Sequence, residues 1–583
     1  MLGLGLALTF MTSALAYQFD NAKDPAYPVL LPTPRNLTFG SQTALIDPCF
    51  FAVTSNVTMK EGDTLKVDPK VITANIQEYV TNKVFYKGSD CPATANYLAS
   101  NVVGLTAEIT HQTADLLPPD LEDGDESYTL QVNSSAISIV ANQYSGIIRA
   151  LATLAQLTKY SYSTGRFTYA VKFAPINITD SPRYPYRGFM LDTSRRFFQE
   201  STLLQTLDIL AAAKFNVFHW HIVDDDSFPF NLTTYPNVTK GGAFTPEQVY
   251  SVEQVKNIVA HAEKLGIRVV PEFDNPGHTR AVGFDSYFNE AIRCFMKDWS
   301  NNVPDAYRIN GGPPTGVLDP SFDKTYELLV GIFTDFNTLF PDNMVHLGGD
   351  EVLQSCFNEN PNLAKFMEDN NITDYDQLIV WHMAKARYTL QNINRDKKAL
   401  YWSNEDTFYQ EYKDGDILVY WGLAQNITNM TDIYPNQKYV MAPGDYYYMD
   451  CGFGNKYGEK AWCDPFKTWW KIYSFDPSDY ITGTQCLGSE IAVWSELNGD
   501  QNLNVKLWPR GAAMADKLWS DKVPTDLVAI VQRQVAFAEY LNDRGIATSS
   551  VVGRWCEKNA DHCFAAYPEA KAEKVEELFA ATE

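Results

Sequence analysis

No two cysteines in this 583-residue chain stand in CxxC or zinc-finger spacing, and histidine occurs only eight times. The first absence argues against thiolate metal sites, so the nine cysteines read as disulfides of an exported protein, with one left over. Long apolar runs are also missing. The only one, MLGLGLALTFMTSALA, is too short to span a bilayer and ends in Ala14-Leu15-Ala16, the small-residue pattern of signal cleavage. Residues 1–16 therefore read as a secretory signal, although no Lys or Arg precedes Lys23; a start site placed slightly wrong is the alternative. Basic charge is deficient as well. With 47 Lys and Arg against 71 Asp and Glu, the net charge of -24 repels phosphate backbones and anionic lipid, which argues against nucleic-acid and membrane partners and for a neutral ligand.

What is present points to a folded, secreted molecule. A hydrophobic content of 45% with 13% aromatics excludes disorder and leaves many flat rings for a ligand surface. Sequons at Asn36, Asn56, Asn133, Asn177, Asn231, Asn237, Asn371, Asn426 and Asn429 offer glycan acceptors. The compartment is thus extracellular, with the cell wall or a lysosome- or vacuole-like compartment as alternatives.

From residue 17 to 180 the patterning is that of a small α/β domain. VITANIQEYVTNKVF and YSGIIRALATLAQLT have helical spacing, while GLTAEITH and SYTLQVNSSAISIVA alternate as strands. The turn formers in PINITDSPRYPYRG mark a boundary near residue 180. From 181 to 583 the pattern is a steady alternation. Strand candidates RGFMLDTS, NVFHWHIVD, IRVVPEFD, MVHLGGDE, ALYWSNE, DILVYWG, YVMAPGDYYYMD and GSEIAVWSE are interleaved with helical segments, sparsely in the second half. Eight strands of buried-parallel character predict a (β/α)8 TIM barrel with a C-terminal extension.

In such barrels the active site forms at the C-terminal strand ends. Those ends carry Arg195, Asp224, Asp274 with His278, Asp350 with Glu351, Trp402, Trp421, Tyr448 with Asp450, and Trp494 with Glu496. Carboxylates, one Arg and aromatic walls suit a ring bearing hydroxyls. His219 and His221 in HWH could form a metal pair, but no further His stands near the end of a late strand, so a structural role fits better than a metal hydrolase.

RGFMLDTSRRFF, HWHIVDDDSFPF, PEFDNPGHT, HLGGDEV and LWPRGAAMADKLWS, in this order, resemble the motifs of glycoside hydrolase family 20, the β-N-acetylhexosaminidases; the insert DYYYMDCGFGNKYGEKAWCDPFKTWWKIYS looks most like secreted fungal members. The resemblance implies exo-acting removal of terminal GlcNAc or GalNAc from chitooligosaccharides or glycans, with no metal and no cofactor; a catalytically silent glycan-binding protein on the same barrel is the competing reading. Family 20 departs from the two-carboxylate scheme because the substrate's 2-acetamido oxygen attacks C1. By position, Glu351 would then be the acid and base, Asp350 would hold the acetamide N–H, and Tyr448 would bond the acetamide oxygen. Asp224 and His278 would orient Glu351. Trp402, Trp421 and Trp494 would shape the sugar site, and Arg195, Asp450 and Glu496 would bind hydroxyls. Arg196 replaces a His that many relatives carry after the counterpart of Arg195. Gly348 and Gly349 would let strand alternation lapse, so that both adjacent acids reach one sugar. Cys49 with Cys91, Cys294 with Cys356, and Cys556 with Cys563 are the candidate bridges. For the remaining three the resemblance favours Cys451 with Cys486, leaving Cys463 free. The partner is an oligosaccharide; both a monomer and a homodimer stay open.

Overall fold

The computed structural model describes residues 27–62, 67–88, 91, 101–113, 116–117, 120–121, 124–163, 166–296, 315–404, 412–413, 415–454, 461, 463–481, 483–521, 526–559 and 562–563. The signal segment 1–16 lies outside them.

Runs of apolar residues without polar alternation need cover on both faces, and a closed parallel barrel supplies it. Its strands are Tyr186–Asp192, Val217–Val223, Arg268–Phe273, Met344–His346, Lys398–Ser403, Ile417–Tyr420, Lys438–Met441 and Cys486–Val493, closing in chain order. Every residue of the first three strands is buried. The helices between early strands are long, for example Asp323–Leu339 and Tyr375–Ile393; those of the second half shrink to Ile427–Ile433 and Trp469–Ser474. That shortening is why helical patterning is sparse there. Helix Val252–Lys264 starts at a capping box in which Ser251 Oγ accepts from the Gln254 N–H and Gln254 Oε1 accepts from the Ser251 N–H. Among the described residues no helix is long and apolar enough to cross a membrane.

Ahead of the barrel lies a seven-stranded sheet. Its path runs Asn36–Ile46, Arg166–Asp180, Tyr128–Val132, Ile137–Ala141, Gly104–Gln112, Ala52–Met59, with Thr158–Ser163 paired to Arg166–Asp180. PINITD, which reads as turn-forming, instead ends the long strand Arg166–Asp180. All of helix Tyr144–Leu157 is buried because it is packed on the sheet on one side and on barrel helix Glu200–Ala212 on the other.

The seam between the two bodies carries densely paired polar groups. Glu126 accepts from Arg149 Nε at 2.7 Å, Arg187 Nη2 at 2.8 Å and Asn216 Nδ2 at 2.9 Å. Burial pushes the Glu126 carboxyl up, but the two guanidiniums prevail and hold it down at about 2. Beside it Asp180 Oδ2 accepts from Lys214 Nζ at 2.8 Å, Tyr128 Oη at 2.7 Å and Trp519 Nε1 at 2.9 Å.

Candidate active site

The fourth barrel strand ends at His346, and the next residues leave regular geometry: Gly348 has φ 66°, Gly349 φ 100° and Glu351 φ 48°. Gly348 is required for a second reason, since a Cβ there would stand 1.8 Å from Asp274 Oδ1. With that space open, the Gly349 N–H donates to Asp274 Oδ1 at 2.9 Å and the Trp402 N–H donates to the Gly348 carbonyl at 3.1 Å. The turn breaks strand alternation as expected. Asp350 becomes 7% exposed, while the Glu351 side chain stays 32% exposed at the rim.

Glu351 heads a chain of charged contacts. Its Oε2 lies 3.5 Å from His278 Nε2. His278 Nδ1 lies 3.2 Å from Asp224 Oδ1 and 3.4 Å from Asp225 Oδ2. Asp224 Oδ2 pairs with Arg195 Nη1 at 2.7 Å and with His221 Nε2 at 2.7 Å. Burial disfavours charge on His278, but Asp224 and Asp274 outweigh it and hold the imidazole protonated well above the usual range. Asp224 shows the converse: burial raises it, and Arg195 and His278 bring it well below the usual carboxylate range.

Asp350 belongs to a different pair. Burial pushes its carboxyl up and Glu351 adds to the shift, against His278. Asp274, within 4.8 Å of His278 and Asp350, is pushed well up by burial and by Asp350. Asp350 Oδ1 and Asp274 Oδ2 are buried without a hydrogen-bond partner from the protein. Buried acceptors are normally satisfied, so these two are cost without structural return.

The aromatic side is assembled from the late strands. Tyr448 bridges to Ala492 and is 3% exposed. The Trp494 ring lies 6.4 Å from Tyr448 and 5.8 Å from Trp402, with the Arg195 guanidinium 5.0 Å above it. Trp402 is 1% exposed and donates its indole N–H to Glu272 at 2.7 Å, so it is an inner wall rather than an open platform. Trp421 is half-buried against the same cluster. Half-buried Asp450 has a buried Oδ1 without a protein partner, and its carboxyl is pushed up to about 8 by burial and by the Glu496 charge. Arg195 Nη1 is committed to Asp224, while Nη2 lies 3.5 Å from His278 Nδ1 and Nε 3.8 Å from Asp226 Oδ2. Arg196 leans outward and donates to the Glu496 carbonyl at 3.5 Å.

His219 and His221, the candidate metal pair, each have both ring nitrogens on carboxylates. His219 reaches Glu490 at 2.9 Å and Glu272 at 3.0 Å; His221 reaches Glu272 at 2.5 Å and Asp224 at 2.7 Å. Sequence reasoning missed Glu272, a charged residue within a six-residue strand that is buried throughout. An acid in such a run was the signal.

The disulfides Cys49–Cys91, Cys294–Cys356 and Cys556–Cys563 form as expected, and Cys294–Cys356 ties the loops after the third and fourth strands beside Glu351. The fourth corrects an expectation: Cys451 pairs with Cys463, not Cys486. Both lie in the same insert with Cα atoms 5.5 Å apart, a normal bridging distance, whereas Cys486 opens the last barrel strand as a buried thiol.

Residues 184–522 match the family model described as glycosyl hydrolase family 20, catalytic domain, and residues 30–157 match one described as beta-acetyl hexosaminidase like. A probable beta-hexosaminidase of Arthroderma benhamiae is 32% identical over 477 residues, 75% of this chain and 76% of that protein. The beta-hexosaminidase subunit beta of Mus musculus is 29% identical and covers more, 91% of this chain and 93% of its own length. Among solved structures, the exo beta-N-acetylglucosaminidase of Vibrio harveyi in complex with N-acetylglucosamine shares the fold at a TM-score of 0.71, with 23% identity over 90% of this chain and 79% of that one. The catalytic-domain model spans more than half of the sequence, and on that match the chain belongs to glycosyl hydrolase family 20 and is a glycoside hydrolase.

Proposed function

We propose that the chain is an exo-acting β-N-acetylhexosaminidase that cleaves terminal GlcNAc, with GalNAc as the second sugar, from chitooligosaccharides or glycans by substrate-assisted retaining hydrolysis. The observation that carries this is the division of labour between neighbouring acids. Glu351 is partly exposed and linked to the His278–Asp224 pair, while Asp350 is buried with an unpartnered Oδ1 near Tyr448. A protein that supplied its own nucleophile would need a second carboxylate aimed at C1. Here Asp350 instead accepts the acetamide N–H, orienting its oxygen for attack on C1, and stabilises the positive oxazolinium that forms. Glu351 gives its proton to the leaving oxygen and then takes one from water. Tyr448 donates to the acetamide oxygen; Arg195, Asp450 and Glu496 bind ring hydroxyls; Trp402, Trp421 and Trp494 enclose the sugar.

The chain reads as a secreted glycoprotein with residues 1–16 as its signal, an accessory domain over 17–180 and the catalytic domain over 181–583. Of the nine sequon asparagines, seven are exposed and Asn231 and Asn426 are half-buried, so none is closed to glycan. A relative of Ostrinia furnacalis, 32% identical, is named as a chitooligosaccharidolytic beta-N-acetylglucosaminidase, which supports the substrate class.

The test compares an aryl β-glycoside of GlcNAc with the one bearing a plain 2-hydroxyl. Hydrolysis of the first with retention, and essentially none of the second, is expected. Comparable rates, or a covalent sugar ester trapped on an Asp or Glu, would overturn the mechanism; saturable binding without cleavage would make the protein a lectin.

A further inference from the structure

Below the proposed acid, the line of polar contacts does not stop at Asp224. It continues through the interior of the barrel to its opposite end. His221 binds Asp224 through Nε2 and Glu272 Oε2 through Nδ1, at 2.7 and 2.5 Å. His219 Nε2 lies 3.0 Å from the same Glu272 oxygen, close enough for an ion pair though without hydrogen-bond geometry. His219 Nδ1 meets Glu490 Oε1 at 2.9 Å, and Glu490 Oε2 accepts from the Tyr186 hydroxyl at 2.5 Å. Tyr186, Glu490, His219, Glu272 and His221 are all 0% exposed. The other Glu272 oxygen accepts from the Trp402 indole.

A buried anion is expensive, and a barrel packed with aliphatic residues would be cheaper. Glu272 touches both halves of the site, the acid's supporting chain through His221 and the sugar pocket's inner wall through Trp402. We propose that Glu272, acting through His221, is a positioning residue for hydrolysis: it fixes the His221 imidazolium that pins Asp224, and so sets the geometry and proton affinity of the His278–Glu351 couple. This rests on the reading of Glu351 as the acid.

The groups that set the charge balance come from every side. Glu272 faces His219 and His221 from the second strand, His346 from the fourth and the Trp402 N–H from the fifth. His221 also faces Asp224, with Arg195 Nη1 3.4 Å away. His278 faces Asp224, Asp225, Asp274, Glu351 and Arg195. His221 is held protonated well above its usual range, with Glu272 as the largest influence opposing burial. Removing that negative charge lets protons leave His221 and His278 more readily, so the alkaline limb of the rate profile moves to lower pH.

The experiment measures kcat and KM against pH for wild type, Glu272→Gln and His221→Gln on an aryl GlcNAc glycoside, with Tm measured on the same samples. For both variants kcat should fall on the order of 10-fold to 10²-fold with KM changed less than about twofold; the alkaline limb should move to lower pH in Glu272→Gln, which loses an anion, and to higher pH in His221→Gln, which loses a cation. A purely packing role would lower Tm and leave the shape of the profile unmoved, and that result overturns the proposal. Should Glu272→Gln not fold, His221→Gln alone decides by the same limb. Absence of hydrolysis by wild type would instead sink the assignment of function itself.

Discussion

At the N-terminal ends of the barrel strands, Glu126 sits among Arg149, Arg187 and Asn216 with every contact at 2.9 Å or less. At the C-terminal ends, Asp274 and Asp350 are buried and Asp450 is half-buried, yet each keeps a buried oxygen that no protein group satisfies. The two regions apply the same electrostatics in opposite senses. Cations paired with Glu126 pull its carboxyl down to about 2; burial, with the Glu496 charge added, pushes Asp450 up to about 8. A buried charge that is fully paired holds domains together, whereas acids gathered with spare acceptors hold a site ready for a ligand that brings the missing donors.

Breaking each region should therefore fail differently. Asp350→Asn should reduce kcat by about 10² to 10³, because the oxazolinium loses its anion, while Tm stays unchanged or rises; a folded variant with near wild-type kcat would remove Asp350 from the chemistry. Glu126→Gln should do the reverse, costing about 3 to 5 kcal/mol of stability by leaving Arg149 and Arg187 uncompensated, with kcat/KM of the folded enzyme preserved. Denaturant unfolding of the variant beside activity at low temperature separates the two.

Asp450 sharpens the contrast through pH. Its folded-state carboxyl titrates at about 8 and an unfolded one at about 4, so between those values the folded state holds a proton that the unfolded state has lost. Stability attributable to Asp450 must then fall as pH rises through that window, and Asp450→Asn should flatten the Tm-against-pH curve there. An unchanged slope would show that Asp450 titrates normally. The smallest effect is expected at Cys486, whose thiol burial pushes up to about 12. Cys486→Ser should cost about 1 kcal/mol or slightly more and leave activity intact, and peptide mapping should find Cys486 alkylated only after unfolding. A mapped Cys451–Cys486 peptide would reverse the pairing.

The eight barrel strands were legible because strands buried on both faces appear as mainly apolar runs that end in charged or aromatic residues at the rim, as in VVPEFD, MVHLGGDE and DILVYWG. The outer strands Ala52–Met59 and Thr158–Ser163 were not, since one face meets water and their patterning is polar. The turn carrying Asp350 and Glu351 was readable from its two glycines. Glu272 was not singled out, although an acid inside a buried run was its signal, because the run alone does not show which groups the carboxylate meets. The partner of Cys451 depended on how an insert folds back on itself, which spacing alone does not determine.

The central claim is that Glu351, not a protein nucleophile, is the group whose proton decides cleavage. It is tested most directly by Glu351→Gln on two GlcNAc glycosides that differ only in the leaving group, one needing a proton and one departing as a stable anion. The account predicts a loss of about 10² to 10⁴ in kcat/KM on the first and a much smaller loss on the second. Equal losses on both would contradict it.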